Sequence, residues 1–542
     1  MEHLSHQRKI TIMVAIITAM FFSSINQTIV SVALPSIIAK LGGMEYYTWV
    51  ITIYLLTTTI STILVGKLSD IYGRKPFILA GIAIFMVGAL FSGSSKDIIQ
   101  LIISRGIQGM GAGIIMSTAF TAIGDLFSPR ERGRWSGVMS AAFGISSVLG
   151  PGVGGYIVDH MAWHWIFWLF LPLGFIAFLM ILFLFPRIER RESESIDYPG
   201  SFFLTLTIVP LLLGFSWAGT KYPWNSSLIL GLFGIAIFSL LLFIFTEARV
   251  KAPVLPLYLF RSSIITISNI VGFLTFAGMF GALMYMPFYV QGVLGVSATY
   301  AGYVSMPMSL SMFTMSAYAG RQMTKTGKYK NMAIFGNFLM VLGMMLMAVM
   351  NNIYLAVLSM IIFGIGLGFG MPIFMLTVQN AVDAAELGVA TATVQLFRNL
   401  GGTIGIAVMG TILSTSMAGK MKELISRGTG INTGALDPAM AEKFRQVQDP
   451  RILLDHQKLA AIQNSLPPSV QSAFSELIET IREAMSASLS NVFFAGVLLV
   501  TVALVLSFFL REVPLRTTVG KVTPEKPAER EKALGRMKEA NP

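Results

Sequence analysis

The chain has 542 residues, of which 54% are hydrophobic and only 12% charged, about half the roughly 25% charged share of an average soluble chain. That composition excludes a soluble globular fold, and the lack of any cysteine excludes disulfides, thiolate metal sites and cysteine nucleophiles. The formal net charge of +12 does not point to nucleic acid, because the basic residues sit in short loops between apolar blocks, where membrane orientation puts them.

The first apolar block, Ile10 to Leu34, follows Arg8 and Lys9 as a signal peptide would. Its core is longer than the roughly 7 to 15 residues of a signal, and it ends in Ala33-Leu34-Pro35 without a small-x-small cleavage site, so it reads as a retained first helix. Further blocks of about 17 to 25 residues follow, each long enough to cross a bilayer as a helix that satisfies its own backbone. They run Tyr46 to Val65, Phe77 to Phe91, Ile98 to Ile123, Trp135 to Val158 and Trp165 to Phe185. Gly200 to Trp217 and Ser227 to Phe245 come next. The last set is Ile264 to Val290, Tyr300 to Ala319, Asn331 to Met350, Ile353 to Val378, Leu387 to Ser416 and Asn491 to Leu510.

The sequence thus predicts an all-α integral membrane protein with about fourteen transmembrane helices. Lysine and arginine fill alternate loops, at Lys67, Arg74 and Lys75, at Arg130, Arg132 and Arg134, and at Arg321, Lys325, Lys328 and Lys330. The short loops on the other side hold only Lys40, Lys96 and Lys221. Positive residues stay inside, so both termini, including the basic tail from Arg511, are expected in the cytoplasm. One segment breaks the rhythm: residues 417–489 are polar and external on this topology. Within it Phe474, Leu477, Ile478, Ile481 and Met485 form one apolar helix face, which suits a helical cap resting on protein or lipid, or less simply a lid over the substrate path.

An internal repeat is visible. Gly66-Lys67-Leu68-Ser69-Asp70-Ile71-Tyr72-Gly73-Arg74-Lys75 is echoed by Gly320-Arg321-Gln322-Met323-Thr324-Lys325-Thr326-Gly327-Lys328, and the Gly106 to Gly111 stretch by Gly364 to Phe369. Two copies of a six-helix unit explain both echoes. The expected organisation is a six-helix bundle in residues 1–190, a two-helix insertion in 191–263, a second six-helix bundle in 264–515 with the external loop 417–489, and a cytoplasmic tail in 516–542.

The Gly66 to Lys75 stretch resembles the signature loop of the major facilitator superfamily, G-x-L-x-D-x-x-G-R-K. Physically, Gly66 allows close helix approach, Gly73 permits the turn, and Asp70 with Arg74 can form ion pairs that break and reform with a gate. A simple positive-inside anchor explains Arg74 and Lys75 but not Asp70. Arg105-Gly106-Ile107-Gln108-Gly109 is similar to the family's R-x-x-Q-G motif in the fourth span. An arginine in hydrocarbon costs at least ~2.5 kcal/mol, so it must face the bundle interior or water with a partner. The resemblance implies a part in proton transfer; hydrogen bonding between facing helices is the structural alternative.

In the fifth span Gly144 followed by Gly150-Pro151-Gly152-Val153-Gly154-Gly155 is similar to the motif that marks antiporters in this superfamily, with Gly150, Pro151, Gly154 and Gly155 in its characteristic order. Dense glycine gives a smooth groove against which another helix can seal. Ordinary small-residue packing is the plainer alternative, as at Gly109 and Gly113 or Gly401 and Gly405. Together with Thr28 to Pro35 and Trp163 to Phe167, these motifs make the whole chain resemble the fourteen-span drug:proton antiporters. The resemblance implies a proton-coupled exporter of amphipathic small molecules in the plasma membrane, monomeric, with substrates, protons and lipid as its partners. It implies neither cofactor nor ATP, and no Walker lysine motif is present.

Departures from that family pattern matter. Asn26 stands where an acid is usual, His164 where an arginine is usual, and Phe170 where an asparagine often follows. None of the 27 acidic residues falls near mid-membrane on this map, although a buried carboxylate is the usual carrier of a proton or attractor of a cation. Protons are therefore expected to use an acid at a cytoplasmic helix end, Asp70 or Asp125, with Arg105 tuning it, and the substrates are expected to be neutral, anionic or zwitterionic. Cavity candidates are Asn26, Thr28, Gln108, Asn269, Asn337, Gln395 and Arg398, each equally explicable by interhelical hydrogen bonding. The 33 methionines suit an adaptable cavity but more often pack or face lipid. His160 and His164 lack an acidic third partner and fit interfacial anchoring better than zinc. Three other functions compete: a dedicated exporter of one endogenous lipid or metabolite, a non-transporting sensor, and a membrane enzyme, for which no constellation of acids, histidines or serines is present in the spans.

Overall fold

The computed structural model describes residues 5–43, 46–126, 129–186, 197–218, 222–250, 253, 255–382, 387–424, 453 and 456–513. Helices dominate throughout, with no named strand and one isolated bridge between Ala218 and Tyr222 among the described residues. The first half comprises α1 (His6–Leu41), α2 (Tyr47–Tyr72), α3 (Arg74–Gly93), α4 (Ile98–Leu126), α5 (Pro129–His160), α6 (Trp165–Trp168) and α7 (Leu171–Leu184). A helical pair follows, α8 (Tyr198–Trp217) and α9 (Ser227–Glu247). The second half holds α10 (Ser263–Phe288), α11 (Ala298–Thr326), α12 (Lys330–Ala348), α13 (Ile353–Asn380), α14 (Leu387–Leu424), α15 (His456–Asn464) and α16 (Pro468–Phe508).

Among the described residues, eleven helical segments are long and apolar enough to cross a bilayer. The expected fourteen includes also α2, α5 and α11. Of these α2 carries a shorter apolar stretch, Trp49–Thr62, while α5 and α11 are diluted by Gly, Ser and Thr. The expected block Trp165 to Phe185 is broken into α6 and α7. Pro172 explains the break: it lies at the start of α7 and has no N–H to give to the carbonyl one turn earlier.

The two halves pack by the same rule. In the first, a Cβ on Gly109 or Gly113 of α4 would strike the backbone of α2, and one on Gly111 the backbone of α3. In the second, Gly364 and Gly368 of α13 abut the backbone of α11, and Gly366 that of α12. Small residues let helix backbones touch, which supplies the dispersion contact that lipid exclusion alone does not. Thr58 and Thr62 of α2 reinforce the first contact by donating to the carbonyls of Gly109 (3.0 Å) and Gly113 (3.3 Å). The Gly364 run that mimics a nucleotide loop is thus a packing stripe. The α8–α9 pair lies outside both bundles: Leu204, Ile208 and Leu212 of α8 cover a seam between Leu56 of α2 and Leu396 of α14, while α9 leaves Ile237, Phe238 and Leu241 exposed.

Within the segment expected as an external loop, the described residues are largely helical. α14 continues to Leu424, and α16 runs unbroken for 41 residues from Pro468 to Phe508. Its apolar face, Phe474, Leu477, Ile478, Ile481 and Met485, joins the main core together with Leu459, Ile462 and Leu466. The same cluster includes Tyr289 and Val290 of a π-helical turn that ends α10.

Candidate functional site

Most of the residues singled out by the sequence fall in four places: a polar network in the first half, a seam between the halves, a polar cluster in the second half, and the turn between α2 and α3. The end of the bundle where α1 begins is called the near end, and the other the far end.

The network centres on Arg105, about two turns into α4 from the far end and 1% exposed. Its Nη1 donates to Gln108 Oε1 (2.6 Å) and to Asn26 Oδ1 (3.3 Å). Gln108 Nε2 donates to the same Asn26 oxygen (2.9 Å), and Asn26 Nδ2 donates to the Ile166 carbonyl (3.4 Å). Tyr54 of α2 lies against the guanidinium, with the carbon 4.1 Å from the ring centroid, a cation–π contact of the kind that gains strength when desolvated. Arg105 Nε has no partner among the described residues. Among the described residues, every group that meets the guanidinium is neutral. Asn26 of α1 is thereby brought to Arg105 and Gln108, which lie one turn apart on α4; Tyr54 was not anticipated, and its only sequence signal is a tyrosine inside an apolar, Thr-rich span.

The seam is built by the glycines of α5. A Cβ on Gly150 would strike the Thr28 side chain, and one on Gly154 would come within 2.7 Å of the Ile29 carbonyl, so α5 lies directly on α1. Thr28 Oγ1 donates to the Ser146 carbonyl (3.0 Å) at the same contact. On its other side α5 meets α11 of the second half: Gly144 faces Phe313, Gly152 faces Met306, and the Pro151 carbonyl lies where a Cβ on Gly302 would be. At the far end Asp159 accepts from Thr299 N (2.8 Å) and from its hydroxyl, and Gln291 Nε2 donates to the Val32 carbonyl (3.5 Å). Gly155 is buried in the same helix.

In the second half Arg398 of α14 is buried. Its Nη2 donates to the Met371 carbonyl (2.7 Å), and its guanidinium carbon lies 5.1 Å from the centroid of Phe276. Arg398 Nε has no partner among the described residues, and neither has either amide atom of the fully buried Asn269. Gln395 is half-buried on the same helix. Asn337 belongs elsewhere: its Nδ2 donates to Ser507 Oγ (2.7 Å) across the α12–α16 contact, which is helix packing.

At the near end Gly73 ends α2 with φ 89°, a left-handed value that favours glycine. It lets α3 start at once, and Arg74 Nη1 donates to Ser69 Oγ (2.7 Å) while Lys75 Nζ donates to the Phe185 carbonyl (2.6 Å). Asp70 and Gly66 lie in α2 and Asp125 in α4, with their side chains outside what the structure describes. His160 stacks on Tyr156 at 4.4 Å and His164 lies between Trp163 and Trp168, placements that suit interfacial anchors.

With the fold and these contacts in view, the decisive match is to the sequence profile of the Major Facilitator Superfamily, which covers residues 16–406. The chain belongs to the major facilitator superfamily. It is 35% identical over 523 residues to the multidrug transporter protein MdtP of Bacillus subtilis (strain 168), covering 94% of each. It is 30% identical over 512 residues to multidrug resistance protein 3 of the same organism, covering 94% of this chain and 96% of that one. The fold is similar to that of a bacterial homolog of the human lysosomal transporter Spinster in its inward-facing, unoccupied conformation, with a TM-score of 0.61 at 15% identity over 94% of this chain and 100% of that one. The human organic anion transporter MFSD10 gives a TM-score of 0.56 at 14% identity, over 91% and 99%. This superfamily member is therefore a multi-pass membrane transporter of small molecules, and its relatives are transporters rather than enzymes.

Proposed function

We propose that this protein is a secondary active exporter of amphipathic small molecules, working by alternating access and proton antiport from the plasma membrane. The observation that carries this reading is the glycine-lined α5 seam. It presses on α1 of its own half and on α11 of the other, from Asp159–Thr299 at the far end inward to Gly144–Phe313. Two rigid halves that meet along such a stripe can part by rocking, because at Gly144, Gly152 and Gly302 one side of the contact carries no side chain. The multidrug relatives support export of more than one compound.

On this reading α2, α5 and α11 are spans as well, giving about fourteen, with both termini cytoplasmic by the distribution of Lys and Arg. The far end is then extracellular and closed. Gly66, Asp70, Gly73, Arg74 and Lys75 form the cytoplasmic gating element, where Gly73 sets the α2–α3 turn and Arg74 braces Ser69.

Proton coupling is the finer part. Asn26 cannot titrate, so the first-half network offers a permanent cation, Arg105, and no carrier of a proton. The proton then binds at Asp70 or Asp125, with Arg105 tuning the coupling. Vesicles containing the purified protein test this: substrate-stimulated proton flux is expected across a panel of amphipathic compounds, and lost in Asp70→Asn or Asp125→Asn. Coupling that is unchanged in both variants sinks the assignment, and no flux with any compound sinks the exporter.

A further inference from the structure

The buried arginines Arg105 and Arg398 are not equivalent. Arg105 sits in a closed network whose asparagine spends both amide atoms on protein partners, the oxygen on Arg105 and Gln108 and the nitrogen on Ile166. Arg398 also has an aromatic neighbour, Phe276, and passes Gly272 of α10; one turn before Gly272 on that helix lies Asn269, which has neither its donor nor its acceptor engaged.

The helical register of α10 brings these groups to one face. Asn269, Gly272 and Phe276 lie at i, i+3 and i+7, one above the other. Arg398 crosses this stripe: its Cγ lies 3.7 Å from where a Cβ on Gly272 would be, and its guanidinium reaches Phe276. Gly272 leaves the room for that crossing. The result is a cluster with unmet donors at Arg398 Nε and Asn269 Nδ2 and an unmet acceptor at Asn269 Oδ1, in residues that are 6% and 0% exposed. Buried polar groups are nearly always satisfied, and an orphan asks for a partner. The two open donors, Arg398 Nε and Asn269 Nδ2, ask for a group that is anionic and planar or forked, since an ionised carboxylate accepts from two N–H donors at once, while Asn269 Oδ1 asks for a donor beside it such as a ligand hydroxyl or N–H.

We propose that Asn269 and Arg398 form the polar docking subsite for the substrate of this exporter, and that they take a carboxylate or similar organic anion whose apolar body lies along Phe276. This rests on the exporter reading and narrows it. No carboxylate of the protein meets Arg398 among the described residues, so the ligand supplies the counter-charge. Arg105 differs in that its Nη1 and both atoms of its asparagine's amide are already engaged by neutral partners.

A matched pair of probes separates charge from shape: 1-pyrenebutyrate and its methyl ester share one apolar body and differ by the anion. Binding to detergent-purified protein is read by pyrene fluorescence, and movement in reconstituted vesicles by probe release. The expected result for Arg398→Gln is a carboxylate affinity at least tenfold weaker with the ester within twofold of the unaltered protein. Asn269→Leu is expected to weaken the carboxylate several-fold, and Arg398→Lys to restore part of the loss. Equal loss of acid and ester in Arg398→Gln, or no loss of the acid in either Arg398→Gln or Asn269→Leu with thermal stability intact, overturns the subsite. Vesicles that move the ester but not the acid also overturn it while leaving the exporter standing. Should vesicles move neither probe while the binding pattern in detergent holds, the subsite stands and the exporter reading is what fails.

Discussion

Arg105 donates through Nη1 to Asn26 Oδ1 across 3.3 Å, joining two buried residues 79 apart in the chain. The contact is charge to neutral amide, so the guanidinium keeps its full field inside the first bundle.

Asn26→Asp would place a carboxylate where the amide oxygen now accepts from both Arg105 and Gln108. A carboxylate there would offset the guanidinium's charge, and about 1.4 kcal/mol is a tenfold change in affinity. The variant is expected to fold and to lower the ratio of anion to cation transport roughly tenfold. A flux panel in vesicles checks this; an unchanged ratio means the substrate does not feel the Arg105 charge.

Asp159 and Thr299 join the two halves at the far end, and the protein has no native cysteine to confuse a cross-link. Asp159→Cys combined with Thr299→Cys is expected to form a disulfide under mild oxidant, stop transport, and recover it under reductant. Full transport by the cross-linked protein would show that the far end need not part.

Asn337→Ala removes a buried bond to Ser507, which retains its own bond to the Ala503 carbonyl. A lost hydrogen bond of this kind costs about 1–2 kcal/mol. A lower thermal midpoint with transport within twofold is expected. Loss of transport at unchanged stability would put Asn337 back among cavity residues.

Tyr329 caps α12 and holds the chain after α16: its hydroxyl donates to the Arg511 carbonyl (2.8 Å) and accepts from Val513 N (3.0 Å), while Glu512 accepts from Tyr329 N (3.0 Å). Burial raises the phenol above its usual value, with Val513 opposing and Glu512 assisting. The neutral form is favoured by folding, so this contribution is complete below the ordinary tyrosine pKa of about 10. It is lost as pH rises through the folded-state value. Tyr329→Phe is expected to lower stability by about 1–2 kcal/mol and to abolish that alkaline decline, as measured by thermal melts between neutral pH and pH 11.

How much of this was readable beforehand follows from range. Apolar block length and the glycine motifs are local signals, and they gave the helices and the α5 seam. The substitution at Asn26 was visible as a missing charge, but not its partners, because Arg105 and Gln108 sit on α4 and only packing selects which faces meet. Asn337 and Arg398 look alike on the page, each a polar residue in an apolar helix. One finds Ser507 and the other Phe276, and no local pattern distinguishes those ends. The break before Pro172 and the continuity of α16 were missed: hydropathy averages over a single proline, and although the helical face from Phe474 to Met485 is readable, nothing local joins it to the apolar span that follows.

That α16 is one unbroken helix has a mechanical meaning. Its 41 residues form a rod of about 60 Å at 1.5 Å per residue, roughly twice the ~30 Å hydrocarbon thickness. With no hinge along its length, its outer part is a lever arm fixed to the second half, and any swing of that half must sweep the arm through the same angle. An antibody fragment clamped to the arm would add drag to transport itself, and a fluorophore placed there would magnify a small internal rotation into a large displacement.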